Sequence, residues 1–144
     1  MLVQQILKAK NVEEVITLPS GTSISEAAEL LSSRRIGAVV VSNDGVTPLG
    51  ILSERDIVRE LGRKGAACLS ETVDELMTTK LISCTRQEFA DDVLTKMTDG
   101  RFRHMPVLED DKMVGLISIG DVVKARLAEL AMEKDALEGM IMGH

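Results

Sequence analysis

The chain has 144 residues, enough for one compact domain or two very small ones, and its formal net charge is −6 at pH 7. Hydrophobic residues make up 44% and charged residues 28% of the sequence, a balance that excludes extensive disorder. The negative charge argues against tight contact with the backbone of DNA or RNA, and no apolar run is long enough for a signal peptide or a membrane span. These features predict a cytoplasmic protein with no nucleic-acid or membrane partner.

The first half of the sequence predicts a strand, a helix, two strands and a second helix. Ser23 and Glu26 form a capping-box signature that marks the start of the first helix. Its apolar face has spacings of three and four residues and consists of Ile24, Ala27, Ala28 and Leu31. The last two strands are separated by a turn at 43–45, and the second helix opens at Ser53. The predicted strands are 15–18, 38–41 and 49–52.

The second half repeats the pattern of the first. Each residue of 115–123 lies 65 positions after its counterpart in 50–58. Further back, the separation between Arg35 and Arg101 is 66 positions, which places one extra residue in the turn of the first half. The corresponding helix face is Ala90, Val93, Leu94 and Met97, with Gly100 as the predicted C-cap. The corresponding strands are 81–84, 105–108 and 113–117.

This order predicts an α/β (α+β) fold of two tandem β-α-β-β-α units, with apolar strands covered on both faces. The small residues of 62–70 are typical of a linker. The final helix is predicted to run from Ser118 to about residue 142. Its apolar stripe is Val123, Leu127, Leu130, Leu137 and Ile141. The stripe either packs on its own module or forms a dimer interface, and we favour the dimer because the stripe extends beyond the repeated part.

A serine and an aspartate three positions apart occur at the start of the last helix of each half. The pairs are Ser53 with Asp56 and Ser118 with Asp121. Such a pair is typical of helix capping, in which the serine caps the first turn and the carboxylate complements the helix dipole. The same geometry also suits a ligand, because a helix N-terminus attracts phosphate and an ionised carboxylate accepts hydrogen bonds from both hydroxyls of a ribose.

Several phrases of the sequence resemble paired cystathionine-β-synthase (CBS) domains. They lie at 36–41, 50–56, 76–78, 103–107 and 115–121, and the resemblance covers roughly residues 10–135. It implies a first repeat at 10–70, a second at 77–135 and a C-terminal helix extension at 136–144. It also implies that the repeats pack with pseudo-twofold symmetry into one module, usually a dimer. A similar pair is inserted in inosine monophosphate dehydrogenase, whose barrel would need about 250 residues and has no room here.

In the family that the sequence resembles, two clefts between the repeats bind AMP, ADP, ATP, NAD-type dinucleotides or S-adenosylmethionine. The resemblance implies that the aspartates hold the ribose and that Arg103 or His104 lies near the phosphate. It implies further that Met105 and Pro106 lie against the adenine, whose edge meets backbone groups at Thr17 and Ser83. The full set of expected ligand-binding residues is Thr17, Ile36, Gly37, Ala38, Ser53, Arg55, Asp56, Ile82, Ser83, Arg103, His104, Met105, Pro106, Ser118, Gly120 and Asp121.

The two clefts are expected to differ. Glu54 would repel a phosphate in the first repeat unless Arg55 neutralises it, whereas Gly120 leaves open space in the second. We therefore expect tighter binding at Asp121 than at Asp56.

These observations predict a non-catalytic regulatory module whose ligand is an adenine nucleotide and which acts on an unknown regulated partner. The chain has no phosphate loop, no G-x-G-x-x-G and no H-E-x-x-H motif, and we expect no catalytic cofactor and no metal. Cys68 and Cys84 belong to no C-x-x-C motif and are expected to be reduced and partly buried. The alternatives are a structural dimerisation module with degenerate sites and an enzyme that consumes an adenylate.

Overall fold

The structure is a computed structural model that describes residues 1–10 and 15–142, and it begins with a helix that the sequence analysis missed. In this helix, α1 (Val3–Ala9), Val3 and Ile6 are buried against the second half of the chain. Leu7 lies on the same side, and its side chain would be only 2.7 Å from a Cβ added at Gly115. The spacing of these three apolar residues is the signal that could have predicted α1.

The first repeat has the predicted order of elements. They are β1 (Thr17–Leu18), α2 (Ile24–Arg34), β2 (Ala38–Val41), β3 (Gly50–Ser53) and α3 (Glu54–Lys64). Strands β1 and β2 pair in parallel, and β2 and β3 pair antiparallel, so β2 is the central strand of a three-stranded sheet. All four residues of β2 are buried, which confirms the prediction of a strand covered on both faces.

Helix α2 begins and packs as the sequence predicts. Ser23 is its N-cap, and the Ser23 hydroxyl accepts a hydrogen bond from the Glu26 N–H at 3.1 Å. Ile24, Ala27 and Leu31 are buried on the face that meets the sheet, so the predicted apolar face is confirmed.

The second repeat has the same elements except for its first strand. The elements are α5 (Ala90–Gly100), β4 (His104–Glu109), β5 (Lys112–Ser118) and α6 (Ile119–Ile141). The predicted strand at 81–84 is reduced to one parallel bridge between Cys84 and Val107. The prediction was too long because the chain turns just before it, where Leu81 N–H donates to Thr79 O at 3.0 Å, and Ile82 is exposed.

The residues predicted to be a linker are ordered in the structure. Helix α3 extends to Lys64, a 3₁₀ helix follows at Gly65–Ser70, and α4 (Val73–Leu76) adds one more turn. Cys68 and Val73 are buried within this segment, and Val73 belongs to the core of the first repeat. The segment therefore packs on the first repeat, because Leu69 and Val73 join its core.

Helices α2 and α5 end in the same way. Arg35 and Arg101 follow them in the left-handed conformation, with φ of 55° and 56°. The C-cap of α5 is therefore Arg101, and the prediction of Gly100 was wrong by one residue. Gly100 is the last helical residue, and the Phe102 ring lies only 2.3 Å from the position of an added Cβ.

Each repeat has its own hydrophobic core. The core of the first repeat is centred on Ile24, Val39 and Leu52, and that of the second on Met105 and Ile117. Because α1 packs on the second core, the chain begins on the second repeat and then crosses to the first. This path brings the end of α1 to the boundary between the repeats. Among residues 1–10 and 15–142, no helix combines the length and apolar character needed to cross a bilayer.

Helix α6 ends where the sequence predicts, with Met142 as its C-cap. The part of the predicted extension at 143–144 lies outside the described residues. Val122 and Ala125 face the core of the second repeat and are buried. The residues of the predicted stripe are exposed instead, among them Leu127 at 63% and Ile141 at 77%. The stripe therefore does not pack on its own module.

Candidate functional site

The larger of the two cavities that contain the serine–aspartate pairs, here called the Asp121 cleft, has a volume of about 1070 Å³ and lies between the two repeats. The end of α1 and the strand β5 form one side, and the start of β2 forms the other. Its lining residues are Gln4, Leu7, Lys8, Lys10, Val15, Ile16, Arg35, Ile36, Gly37, Ala38, Arg86, His104, Val114, Gly115, Leu116, Ser118 and Asp121.

The smaller cavity, here called the Asp56 cleft, has a volume of about 410 Å³ and lies between the start of α3 and the segment that enters β4. Its lining residues are Gly37, Ile51, Ser53, Glu54, Arg55, Asp56, Arg59, Thr78, Lys80, Leu81, Ile82, Gly100, Arg101, Phe102, Arg103 and His104. Each cleft thus contains one of the two serine–aspartate pairs.

Asp121 lies in the first turn of α6 and has two kinds of partner. It forms a capping box with Ser118: the Ser118 hydroxyl accepts the Asp121 N–H at 3.1 Å, and Asp121 Oδ2 accepts the Ser118 N–H at 2.8 Å. The same oxygen also accepts a hydrogen bond from Lys10 Nζ at 2.7 Å. Burial alone would raise the pKa of Asp121, but Lys10 and the Ser118 N–H lower it below its usual value.

Asp56 has the same capping box, but no lysine among residues 1–10 and 15–142 pairs with it. Its Oδ2 accepts hydrogen bonds from the Ser53 N–H and from the Ser53 hydroxyl, both at 2.9 Å. The nearest cation is Arg59, which comes from the same helix, lies 3.7 Å from Oδ1 and is 70% exposed. The capping interpretation is therefore confirmed for both pairs. The ligand interpretation stays open, because each cap uses Oδ2 and leaves the other carboxylate oxygen, Oδ1, outside the cap.

His104 forms the wall between the two clefts and lines both of them. Its ring atoms Cε1 and Nε2 lie 3.6 Å from the position of a Cβ added at Gly37, which also lines both. Burial lowers the pKa of His104, and the positive charges of Lys10 and Arg103 lower it further, while Asp121 and Glu54 oppose the shift. A ligand in either cleft would therefore lie against the same imidazole.

The shifted pKa predicts how stability depends on pH. Because the folded state holds the His104 proton less tightly than the unfolded chain, the free energy of unfolding should fall as the pH drops below about 6.5, the ordinary pKa of histidine. Denaturant unfolding between about pH 7.5 and about pH 5.5 measures this slope. His104→Gln should remove the part of the slope that His104 causes. An unchanged slope in the variant would show that the native imidazole titrates normally.

The clefts bring together most of the predicted ligand-binding residues. Those in the Asp121 cleft are Ile36, Gly37, Ala38, His104, Ser118 and Asp121. Those in the Asp56 cleft are Gly37, Ser53, Arg55, Asp56, Ile82, Arg103 and His104. Whether they bind a ligand stays a prediction.

Five predicted residues line neither cleft. Thr17 and Ser83 are partly buried beside the clefts, and Gly120 is exposed outside them. Met105 is fully buried in the core of the second repeat, so its placement against an adenine does not fit this arrangement. The reason is strand alternation: in β4, His104 points to the clefts and Met105 therefore points to the core. Pro106 is buried too, but it lies on the same side of β4 as His104, and its predicted role stays a prediction.

Sequence reasoning missed most of the cations of the clefts. In the Asp121 cleft they are Lys8, Lys10, Arg35 and Arg86, and in the Asp56 cleft they are Arg59, Lys80 and Arg101. Both clefts are therefore rich in positive charge, although the chain as a whole is negative. The pair Arg34–Arg35 and the run from Arg101 to His104 were visible in the sequence, whereas nothing in the sequence joins Lys10 to Asp121.

The cysteines offer no nucleophile to either cleft. Both are free, and they are buried more deeply than expected, Cys68 at 0% and Cys84 at 2% exposure. Burial raises the pKa of the Cys84 thiol to about 12, which keeps it protonated at neutral pH. In the part of the chain that the structure describes, no cluster of histidine, cysteine, aspartate and glutamate has the geometry of a metal site.

Two α/β repeats that enclose paired clefts define a tandem-repeat module of the CBS type. The sequence matches the CBS domain family over residues 9–63 and 73–128. The chain therefore belongs to the CBS domain family, and the resemblance seen in the sequence is confirmed.

Known relatives agree with this assignment. The crystal structure of the CBS-domain containing protein ATU1752 from Agrobacterium tumefaciens has a TM-score of 0.83 and 42% sequence identity, and the match covers 88% of this chain and 99% of that one. The CBS domain-containing protein CBSX3, mitochondrial, of Arabidopsis thaliana is 35% identical over 125 residues, which are 84% of this chain and 61% of the relative. The chain thus spans less than two thirds of that relative, and about a quarter of several others.

A third relative has been solved with ligands. The CBS domain pair of protein MJ0100, in complex with 5′-methylthioadenosine and S-adenosyl-L-methionine, has a TM-score of 0.77 and 26% identity. That match covers 90% of this chain and 98% of the other. Adenosine-containing ligands therefore bind in at least one protein with this fold.

Proposed function

We propose that this protein is a non-catalytic regulatory module that binds an adenine nucleotide between its two repeats and signals to a partner protein by a change in conformation. The observation that carries the proposal is the Asp121 cleft. It combines a carboxylate in the first turn of a helix with a group of cationic side chains in one cavity of about 1070 Å³. A ribose and a phosphate need these two chemistries side by side.

The Asp121 cleft is the stronger of the two proposed sites. It has more than twice the volume of the Asp56 cleft. In the Asp56 cleft, Glu54 lies near the wall between the clefts, with its Oε1 3.8 Å from the position of a Cβ added at Gly37. A carboxylate at this wall opposes a phosphate, as the sequence suggested. The ligand of MJ0100 supports an adenosine-containing ligand here as well.

Binding should be visible in thermal melting. A ligand at 100 times its dissociation constant adds about 2.7 kcal/mol of stability, which corresponds to a rise in Tm of roughly 5–10 °C for a chain of this size. The ligands to compare are AMP, ADP, ATP, NAD, NADH and S-adenosylmethionine, with GMP as the control for the base. A rise with adenine ligands that GMP does not produce supports the proposal, and no rise with any of them contradicts it.

The absorption spectrum provides an independent test on the same sample. The chain contains no Trp and no Tyr, so the protein absorbs very weakly near 280 nm. A strong band at 260 nm in purified protein would therefore come from a nucleotide that co-purifies. Loss of the nucleotide with time, measured by chromatography, would instead favour an enzyme.

We propose further that the module is a homodimer through α6, because the exposed stripe is apolar and points away from its own repeat. The second candidate function follows from this feature: a structural dimerisation module whose clefts hold no ligand. It predicts a stable dimer with no response to any nucleotide in the melting experiment.

A cytoplasmic location also stays a prediction.

A further inference from the structure

We propose that Lys10 makes the Asp121 cleft selective for phosphorylated over unphosphorylated nucleosides. Lys10 pairs with Asp121 until a ribose displaces it, and it then pairs with the phosphate of the ligand. This inference rests on the proposed function, because it names the residue that distinguishes among the ligands of the same cleft.

The first observation is the position of the Lys10 ammonium group. It donates hydrogen bonds to Asp121 Oδ2 at 2.7 Å and to the backbone oxygen of Leu116 at 2.8 Å. The Lys10 and Asp121 side chains are only 28% and 24% exposed. Lys10 is also the C-cap of α1, a helix that Val3 and Ile6 fix to the second repeat. The ammonium therefore comes from an anchored element and reaches the carboxylate proposed to bind the ribose.

The second step is competition for Asp121. Two ribose hydroxyls that bind the two carboxylate oxygens of Asp121 must share Oδ2, which already accepts two hydrogen bonds, one of them from Lys10. A neutral nucleoside that displaces the Lys10 ammonium has no negative charge of its own, so the ammonium loses its ionic partner. Loss of one charge-assisted hydrogen bond between these partly exposed groups corresponds to about tenfold in affinity.

The third step is what the displaced ammonium does in the presence of a phosphate. A lysine side chain is a long, flexible stem with a compact charge at its end, so the ammonium can remain in the cleft after it leaves Asp121. Its charge acts on the interior of the cleft, where it lowers the pKa of His104. A phosphate in the same cavity gives the ammonium a new anionic partner. Binding of a nucleotide therefore restores an ion pair to the Lys10 ammonium, whereas binding of a nucleoside does not.

The Asp56 cleft is an internal comparison, because its capping box is the same but no lysine holds its carboxylate. The Arg59 guanidinium lies farther from its carboxylate, 3.7 Å from Asp56 Oδ1, and the Arg59 side chain is mostly exposed. Selectivity of this kind should therefore belong to the Asp121 cleft alone.

The test is calorimetric titration with AMP and with adenosine, performed in an Asp56→Ala background so that the Asp121 cleft is measured alone. Lys10→Met should strengthen adenosine binding and weaken AMP binding, so that the ratio of the two dissociation constants changes about tenfold or more. Lys10→Arg keeps the charge and should preserve the preference for AMP. Lys112→Met is the matched control, because Lys112 is exposed on β5, a strand that lines the Asp121 cleft, but itself lies outside both clefts.

The outcomes are distinguishable. If Lys10 had only a structural role, Lys10→Met would weaken the binding of AMP and of adenosine equally. An unchanged ratio of the two dissociation constants therefore overturns the inference. An equal change of the ratio in Lys112→Met also overturns it, because general charge would then explain the effect. Circular dichroism checks the fold, and Lys10→Gln replaces Lys10→Met if the latter does not fold. If the Asp56→Ala protein and its Lys10→Met variant bind neither ligand, the proposed function itself fails and the inference fails with it.

Discussion

Replacing Asp121 with alanine is expected to weaken the binding of AMP by about 100-fold, because it removes two hydrogen bonds to an ionised acceptor in a partly enclosed cleft. The equivalent change Asp56→Ala should have a much smaller effect on the total affinity. The two residues have the same capping role and similar side-chain exposure, 24% for Asp121 and 19% for Asp56. A difference between the two variants therefore reports on the clefts and not on the caps. Calorimetric titration measures it.

The capping role of Asp121 requires its own control. Asp121→Asn keeps the shape and much of the cap but lacks the charge. It should therefore bind AMP less tightly than the native protein, while its Tm falls by only about 2–4 °C through loss of the Lys10 ion pair. Asp92→Ala removes an exposed acid from the first turn of α5, outside both clefts, and should leave binding unchanged. A larger loss in Asp56→Ala than in Asp121→Ala would contradict the proposed order of the two sites.

The double substitution Leu127→Glu with Leu130→Glu is expected to convert the proposed α6 dimer into a monomer. These side chains are 63% and 48% exposed at the centre of the α6 stripe, and each would contribute about 1.5–3 kcal/mol if fully buried in an interface. Two carboxylates from each protomer would be desolvated next to one another in the same place. Light scattering should therefore give a mass close to 15.6 kDa for the variant and about twice that for the native chain.

The control for this prediction lies on the same helix. Ala128 is exposed but outside the stripe, so Ala128→Glu adds the same charge without entering the proposed interface. It should leave the dimer intact. A native chain that is monomeric at high micromolar concentration would contradict the α6 dimer, as would a double variant that stays dimeric.

The features that the sequence predicted well depend on local signals. The capping of α2 by Ser23 and the boxes at Ser53 and Ser118 depend on residues three positions apart, and the structure contains all three. The duplicated order of elements was visible because the two halves share a nearly constant offset. Such signals need no knowledge of how distant segments pack.

The features that the sequence could not predict depend on packing. Lys10 and Asp121 are 111 positions apart, and only the docking of α1 on the second repeat brings them together. The burial of Met105 likewise depends on which face of β4 meets the core. The motif that contains Met105 indicates a cleft, but strand alternation assigns the cleft to His104 and the core to its neighbour.

The electrostatics of the molecule show the same division between local and distant effects. The net charge of −6 describes the whole surface, whereas Arg35, Arg86 and Lys10 meet in one cavity from three different parts of the chain. A negative chain can therefore contain a site suited to an anion. Local potential, not total charge, decides what a cleft attracts.

A crystal structure of the protein grown with AMP tests the central claim most directly. We expect the two ribose hydroxyls within hydrogen-bonding distance of Asp121, with the Lys10 ammonium moved from the carboxylate to the phosphate. Density for AMP elsewhere on the molecule, with Asp121 still paired to Lys10, would contradict the account.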